Sequence, residues 1–177
     1  VEATGNLITL KNFNNNMPKL SLKQKTIFKL TKFVLKNSKV AFSTKWQKDI
    51  FTKTYNLKEK NTYIMENFYG QKLKDNNPKE KTFLWFGRFL RLKNVEMLKN
   101  AFQEAKKEDQ NIKLVVNENV SRVKLMENLR DCYAVVLPSL SDASPNFILE
   151  TMQFNKPFIC TKETGLYEKL KDVGLFV

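Results

Sequence analysis

Apolar residues run through this chain in two rhythms. From Ser21 to about Lys36, Ile27, Leu30, Phe33 and Val34 recur at helical spacing, with Lys23, Lys25, Lys29, Lys32 and Lys36 around the remainder. Ser21 stands where it can cap that helix. The stripe is expected to pack on a core, and a basic amphipathic helix lying on a membrane is the alternative. Val40-Ala41-Phe42-Ser43 reads as a short buried strand, Thr44 as the cap of a helix from about Lys45 to Tyr55, and Thr62-Tyr63-Ile64-Met65 as a second strand.

After residue 82 the alternation becomes regular. Strands are expected over Thr82–Phe86, Ile112–Val116, Tyr133–Leu137, Pro157–Cys160 and Leu175–Val177. Helices are expected around the Val95, Leu98, Ala101, Phe102, Ala105 stripe, over Val123–Arg130 and Asn146–Asn155, and briefly over Tyr167–Lys171. Continuously apolar strands separated by helices indicate an α/β fold, a parallel sheet with helices on both faces. Two stretches lack periodicity. Residues 1–18 are polar and Asn-rich and read as a loop, and residues 70–81, with Gly70 and Pro78, read as a linker. The expected organisation is therefore 1–69, a linker at 70–81, and a second domain over 82–177.

Composition removes several classes of function. The 177 residues are 42% hydrophobic, with 14 Phe but only 5 Gly and 5 Pro, which excludes collagen-like and disordered chains. Histidine is absent, so no Ser-His-Asp triad, Cys-His pair or His-ligated zinc lies within the chain. Cys132 and Cys160 lie in or beside apolar segments and are expected to be reduced core thiols. No apolar run reaches the roughly 20 residues of a membrane-spanning helix, and no stretch reads as a signal peptide. The sequence opens on Val and closes on the apolar Gly174-Leu175-Phe176-Val177, which suggests a piece of a longer chain.

The net charge of +13 is unevenly spread. Residues 1–82 carry 17 Lys, no Arg and 6 acidic residues, an excess of 11, whereas residues 83–177 hold 14 basic and 12 acidic residues, an excess of 2. Such asymmetry fits a solvated Lys-rich face or attraction to an anionic membrane surface. Nucleic acid is disfavoured as a partner, because its readers rely on Arg for bidentate contacts.

Two strand-to-helix junctions concentrate chemistry. Ligands of open parallel sheets bind outside the carboxyl ends of the strands. At the first junction, Trp85-Phe86-Gly87-Arg88-Phe89-Leu90-Arg91-Leu92-Lys93-Asn94, Gly87 is expected to let the chain turn close to a ligand, Arg88 and Lys93 bracket the loop, and Asn94 can cap the next helix. Two cations beside a helix N-terminus make a candidate phosphate site, and a solvated basic loop is the alternative. The second junction runs from Pro138 to Glu150. Ser144 is expected as N-cap with Pro145 as first helical residue, directing the N–H groups of Asn146, Phe147 and Ile148 at the crevice. Asp142 precedes the helix, and Glu150, one turn beyond Asn146, shares its face. A carboxylate in so apolar a helix pairs with a cation or binds a hydroxylated ligand.

Taken in order, these segments resemble the donor half of family-4 glycosyltransferases of the GT-B fold. Gly87-Arg88 through Lys93-Asn94 is similar to the family's G-R-x-x-x-x-K-G signature, and Asp142 through Glu150-Thr151-Met152 to its acid-x7-acid run. Asn155-Lys156-Pro157-Phe158-Ile159 resembles the G-K-P-V-I strand, and Thr164-Gly165-Leu166 to Gly174-Leu175-Phe176-Val177 the closing glycine segment. Phe42 to Asp49 and Ile64-Met65-Glu66-Asn67-Phe68 resemble the end of the acceptor domain. The departures are Asp142 for Glu, Asn94 for Gly, a short stretch between Val116 and Tyr133, and the lack of the acceptor domain's histidine.

The resemblance implies a Rossmann-like GT-B C-terminal half preceded by the last elements of the N-terminal half. It implies transfer of a sugar from a nucleotide-diphosphate sugar to a glycan or lipid-linked acceptor, with retention of configuration and without a metal or other cofactor. By position, Arg88 and Lys93 would neutralise the departing diphosphate. Asp142, with the amides of Asn146, Phe147 and Ile148, would hold sugar hydroxyls and the nearer phosphate, and Glu150 the ribose hydroxyls. Arg88, Lys93 and Asp142 would carry the catalysis, with Gly87 shaping the loop. The expected location is the cytoplasm, peripheral on the inner face of the membrane. Two other readings compete: a non-catalytic sugar-nucleotide-binding or assembly module, and a Lys-rich nucleic-acid-binding protein.

Overall fold

The computed structural model describes residues 21–177 apart from residues 69 and 79. The loop expected over 1–18 lies outside the described residues. The chain divides into two compact units, Val1–Asn67 and Phe68–Val177.

In the first unit, helix α1 spans Leu22–Lys36. Ser21 and Gln24 form a reciprocal capping box, which satisfies two N–H groups that the first turn leaves without helical partners. Strand β1 (Val40–Phe42) pairs in parallel with β2 (Thr62–Ile64). Helix α2 (Lys45–Tyr55) connects them, capped by the Thr44 hydroxyl and ended by Asn56 in the left-handed region. Phe42, Tyr55 and Leu57 form a small core, with Phe28, Leu35, Ile50 and Phe51 packed on it. The expected direction of α1 is thereby corrected. Its core-facing residues are Phe28 and Leu35, whereas Ile27, Leu30, Phe33 and Val34 are exposed. Helical spacing finds an apolar stripe, but α1 has two of them, and only the Phe28 side meets the Tyr55 ring, at 5.0 Å between centroids.

The second unit is a five-stranded parallel sheet ordered β4-β3-β5-β6-β7. Its strands are β3 (Lys81–Phe86), β4 (Ile112–Asn117), β5 (Ala134–Leu137), β6 (Phe158–Cys160) and β7 (Leu175–Phe176). They alternate with α3 (Val95–Glu108), α4 (Arg122–Asp131), α5 (Asn146–Gln153) and α6 (Tyr167–Leu170). The strand period of two shows in the core. Leu84, Val135 and Leu137 point into a cluster with Leu125, Leu129, Phe147 and Ile148. Their neighbours Trp85 and Val136 point the other way, towards Val95 and Leu98. Helices thus cover both faces, as continuous apolar strands require. Full burial of each such side chain contributes about 1.5–3 kcal/mol. Both cysteines are free and buried, and burial pushes their thiols up, to about 11 for Cys132 and about 12 for Cys160.

Residues 71–78 have no regular structure, yet they are fastened to the second unit. Leu73 donates its N–H to the Gln153 carbonyl at 2.7 Å, and Asn76 donates its N–H to the Arg130 carbonyl at 3.1 Å. The buried Lys156 donates its ammonium to the Asn76 carbonyl at 2.7 Å.

The order of the strands locates a crevice. From β3 the chain passes to β4 on one side; from β4 it returns across β3 to β5 on the other. The loops leaving β3 and β5 consequently diverge to opposite faces, and the carboxyl ends of these two strands form the topological switch point at which open parallel sheets bind ligands.

Candidate functional site

Both chemically distinctive loops leave the sheet at this switch point. The first follows β3. Gly87 donates its N–H to the Asn117 carbonyl at 3.2 Å, and Phe89 donates its N–H to Glu118 Oε1 at 2.8 Å, so the loop is anchored to the end of β4. Gly87 does not use a left-handed conformation. The chain bends at Gly87 as expected, and a Cβ there would also lie 3.1 Å from the buried Trp85 ring, a tight contact. A 3₁₀ turn, Arg91–Lys93, leads to Asn94. Asn94 occupies the N-cap position of α3 but has φ 53° and makes no side-chain cap bond, which corrects the expected capping role. Asparagine tolerates this region where most L-residues do not. A left-handed position also explains how asparagine can stand where the resembling family has glycine.

The second loop, Pro138–Pro145, follows β5. Pro138, Ser139 and Ser141 are buried. Leu140 donates its N–H to the Leu92 carbonyl at 2.8 Å, which fastens the two loops together. Beside that bond, Lys93 Nζ lies 2.5 Å from Asp142 Oδ2, with the side chains 25% and 16% exposed respectively. Asp142 is also fixed through its backbone: its N–H donates to the Glu163 carbonyl at 3.0 Å, and its carbonyl accepts from the Gly165 N–H at 2.9 Å. Its carboxylate is therefore held among the loops following β3, β5 and β6. Lys93 has three N–H bonds and spends one on Asp142, so two can meet an anion.

Helix α5 begins at Asn146, with Pro145 rather than the expected Ser144 at the N-cap position. Ile148 donates its N–H to the Pro145 carbonyl at 3.0 Å. That amide closes the first turn and is not offered to the crevice, a correction to the expected set of three. Asn146 heads the helix and is exposed. The side chains of Phe147 and Ile148 belong to the core, with the Phe147 ring 5.6 Å from that of Phe86. Glu150, one turn on, is 13% exposed and pairs with the guanidinium of Arg122, itself 65% exposed at the start of α4.

Of the expected residues, the fold joins Lys93 with Asp142 and leaves Arg88 exposed on the same loop. Arg122 and Glu118 were not anticipated. The signal for Arg122 was present: Ser121 caps α4 by accepting from the Lys124 N–H at 3.2 Å, which makes Arg122 the first helical residue. An N-cap serine at Ser121, in place of a helix beginning at Val123, would have put a cation at the carboxyl end of β4. Cys160 also lies near Asp142, but burial first and that carboxylate second raise its thiol to about 12, so it is no thiolate nucleophile at neutral pH.

Solved structures share this fold. The fold is that of the GT-B glycosyltransferases. S. aureus TarM, solved with UDP, matches with a TM-score of 0.69 at 17% identity over 84% of this chain and 36% of its own. Anabaena HepE, in complex with UDP and glucose, matches with a TM-score of 0.66 at 16% identity over 86% of this chain and 53% of its own. WaaG, a glycosyltransferase involved in lipopolysaccharide biosynthesis, matches with a TM-score of 0.64 at 13% identity over 90% of this chain and 55% of its own. This chain thus spans between about a third and just over half the length of these proteins. No family profile matches the chain, and no curated protein matches it by sequence.

Proposed function

We propose that the second unit is the donor-binding half of a family-4-like retaining glycosyltransferase, taking a nucleotide-diphosphate sugar and passing the sugar to a glycan or lipid-linked acceptor. The observation that carries this reading is the junction of the two switch-point loops through Leu140–Leu92 and Lys93–Asp142. It puts a cation and a carboxylate side by side at the carboxyl end of the sheet. Breakage of the sugar–phosphate bond leaves its electron pair on the diphosphate. Cations placed beforehand stabilise that charge without reorganising. Lys93, with two N–H bonds to spare, and the exposed Arg88 supply this function. Asp142, fixed by its backbone, accepts from sugar hydroxyls, and the amides of Asn146 and Phe147 face the nearer phosphate. Glu150 accepts from the ribose hydroxyls. The UDP in TarM and HepE, and the glucose in HepE, support a ligand of this class.

Titration calorimetry with UDP tests the reading. Arg88→Ala and Lys93→Ala each remove charge-assisted hydrogen bonds of about 1.5–3 kcal/mol, roughly a tenfold or greater loss of affinity. Affinity unchanged in both variants would remove the phosphate role.

A further inference from the structure

The Arg122–Glu150 ion pair is the feature that the donor-site reading does not absorb. Ion pairs at a surface ordinarily contribute little, because both side chains are solvated and lose freedom on pairing. This pair is lopsided. Arg122 is 65% exposed, whereas Glu150 is 13% exposed on a helix whose Phe147, Ile148, Leu149 and Thr151 are buried. A carboxylate so withdrawn from water requires a partner, and Arg122 is a cation that meets it. Both residues lie at the carboxyl end of the sheet, Arg122 as the first residue of α4 and Glu150 in the second turn of α5. The side chains of α4 and α5 share one core, so both helices cover the same face.

We infer that Arg122 is a positioning residue for nucleotide recognition, holding the Glu150 carboxylate in the orientation that accepts a ribose diol. The inference rests on the donor-site reading of Glu150. The guanidinium takes Oε1, which leaves Oε2 and further lone pairs for the hydroxyls. The remaining guanidinium N–H groups lie beside the same carboxylate, within reach of a ribose oxygen. Arg122 then governs discrimination between ribose and deoxyribose besides compensating the Glu150 charge.

The experiment is calorimetry on the full chain with UDP, GDP and ADP, each against its 2′-deoxy counterpart, for the wild type, Arg122→Ala and Arg122→Lys. Thermal melting is run alongside. The wild type is expected to prefer the ribose form of its best nucleotide about tenfold. Arg122→Ala is expected to reduce that preference below about threefold and to lower the melting temperature by a few degrees as Glu150 loses its partner, and Arg122→Lys to restore part of both. A wild-type preference that survives intact in Arg122→Ala overturns the inference while leaving the role of Glu150 standing. Tighter ribonucleotide binding by Arg122→Ala also overturns it, since the guanidinium would then compete with the diol. A wild type that binds none of the nucleotides, or binds ribose and deoxyribose forms equally, overturns both the inference and the Glu150 reading beneath it.

Discussion

Breaking the Lys93–Asp142 pair measures how firmly the two loops are joined. Two opposite charges about 4 Å apart attract by roughly 4 kcal/mol at the effective dielectric of a protein surface. Fully exposed pairs realise only about 0.2–1 kcal/mol of such attraction, and removal of one partner from a buried pair costs about 3–5 kcal/mol. With side chains 25% and 16% exposed, this pair lies between those limits. A coupling energy of about 1–2 kcal/mol is therefore expected from a double-mutant cycle of Lys93→Met and Asp142→Asn in urea unfolding. For a unit of this size, each kcal/mol moves the melting temperature by about 4 °C. Lys93→Met alone should accordingly melt roughly 4–8 °C below the wild type. The coupling should largely survive 1 M salt, which shortens the screening length to about 3 Å. The exposed Lys107–Glu104 pair serves as the control whose coupling is small and vanishes in salt. A Lys93–Asp142 coupling below about 0.3 kcal/mol, the usual error of additivity, would show the loops to be held by backbone bonds alone.

Three further outcomes can be checked by unfolding experiments. Asn94, at φ 53° without a side-chain cap bond, should tolerate Gly within about 0.5 kcal/mol, whereas Ala should cost about 1 kcal/mol; equal effects would argue against a conformational role. A Cβ at Gly174 would overlap the buried Phe158 ring, so Gly174→Ala should destabilise by about 1–3 kcal/mol, and an unchanged melting temperature would show that the ring can yield. The thiols of Cys132 and Cys160 titrate near 9.0 when unfolded and at about 11 and about 12 when folded, so above pH 9 the unfolded chain releases protons that the folded chain keeps. Stability should be unaffected by these groups below pH 9 and then fall by up to about 1.4 kcal/mol per thiol per pH unit until each folded value is passed. Cys160→Ala should flatten that slope, and a wild type as stable at pH 10.5 as at pH 8.5 would contradict the buried-thiol assignment.

What could be read from the sequence followed how local the determinant was. The Ser21 and Thr44 caps, the strand over residues 82–86 and the helix beginning at Val95 are written in neighbouring residues, and their boundaries agree with the structure to within a residue or so. Two polar loops at the carboxyl ends of strands could be recognised from the same local pattern. What the sequence withheld depends on partners distant along the chain. Helix α1 carries apolar residues on two sides, and the position of the Tyr55 ring decides which side packs. Glu150 could be seen to need a cation, but the cation, 28 residues earlier, became apparent only with the helices in place. The left-handed Asn94 was hidden for another reason: asparagine suits both an N-cap and a positive φ, and sequence alone does not separate the two.

The strand order also has a consequence in time. During synthesis β3 acquires β4 on one side as soon as the intervening helix has emerged, but its other neighbour, β5, ends roughly fifty residues after β3 does. At about 5–20 residues per second, β3 leaves the ribosome with that edge open for roughly 3–10 s. Leu84 and Trp85, later among the most buried side chains, lie on that edge throughout. An unpaired, apolar strand edge is a template for pairing with other chains. The yield of soluble protein should therefore depend on how quickly translation carries the ribosome from Ile112 to Leu137, and slow codons placed in that interval should favour aggregation over folding.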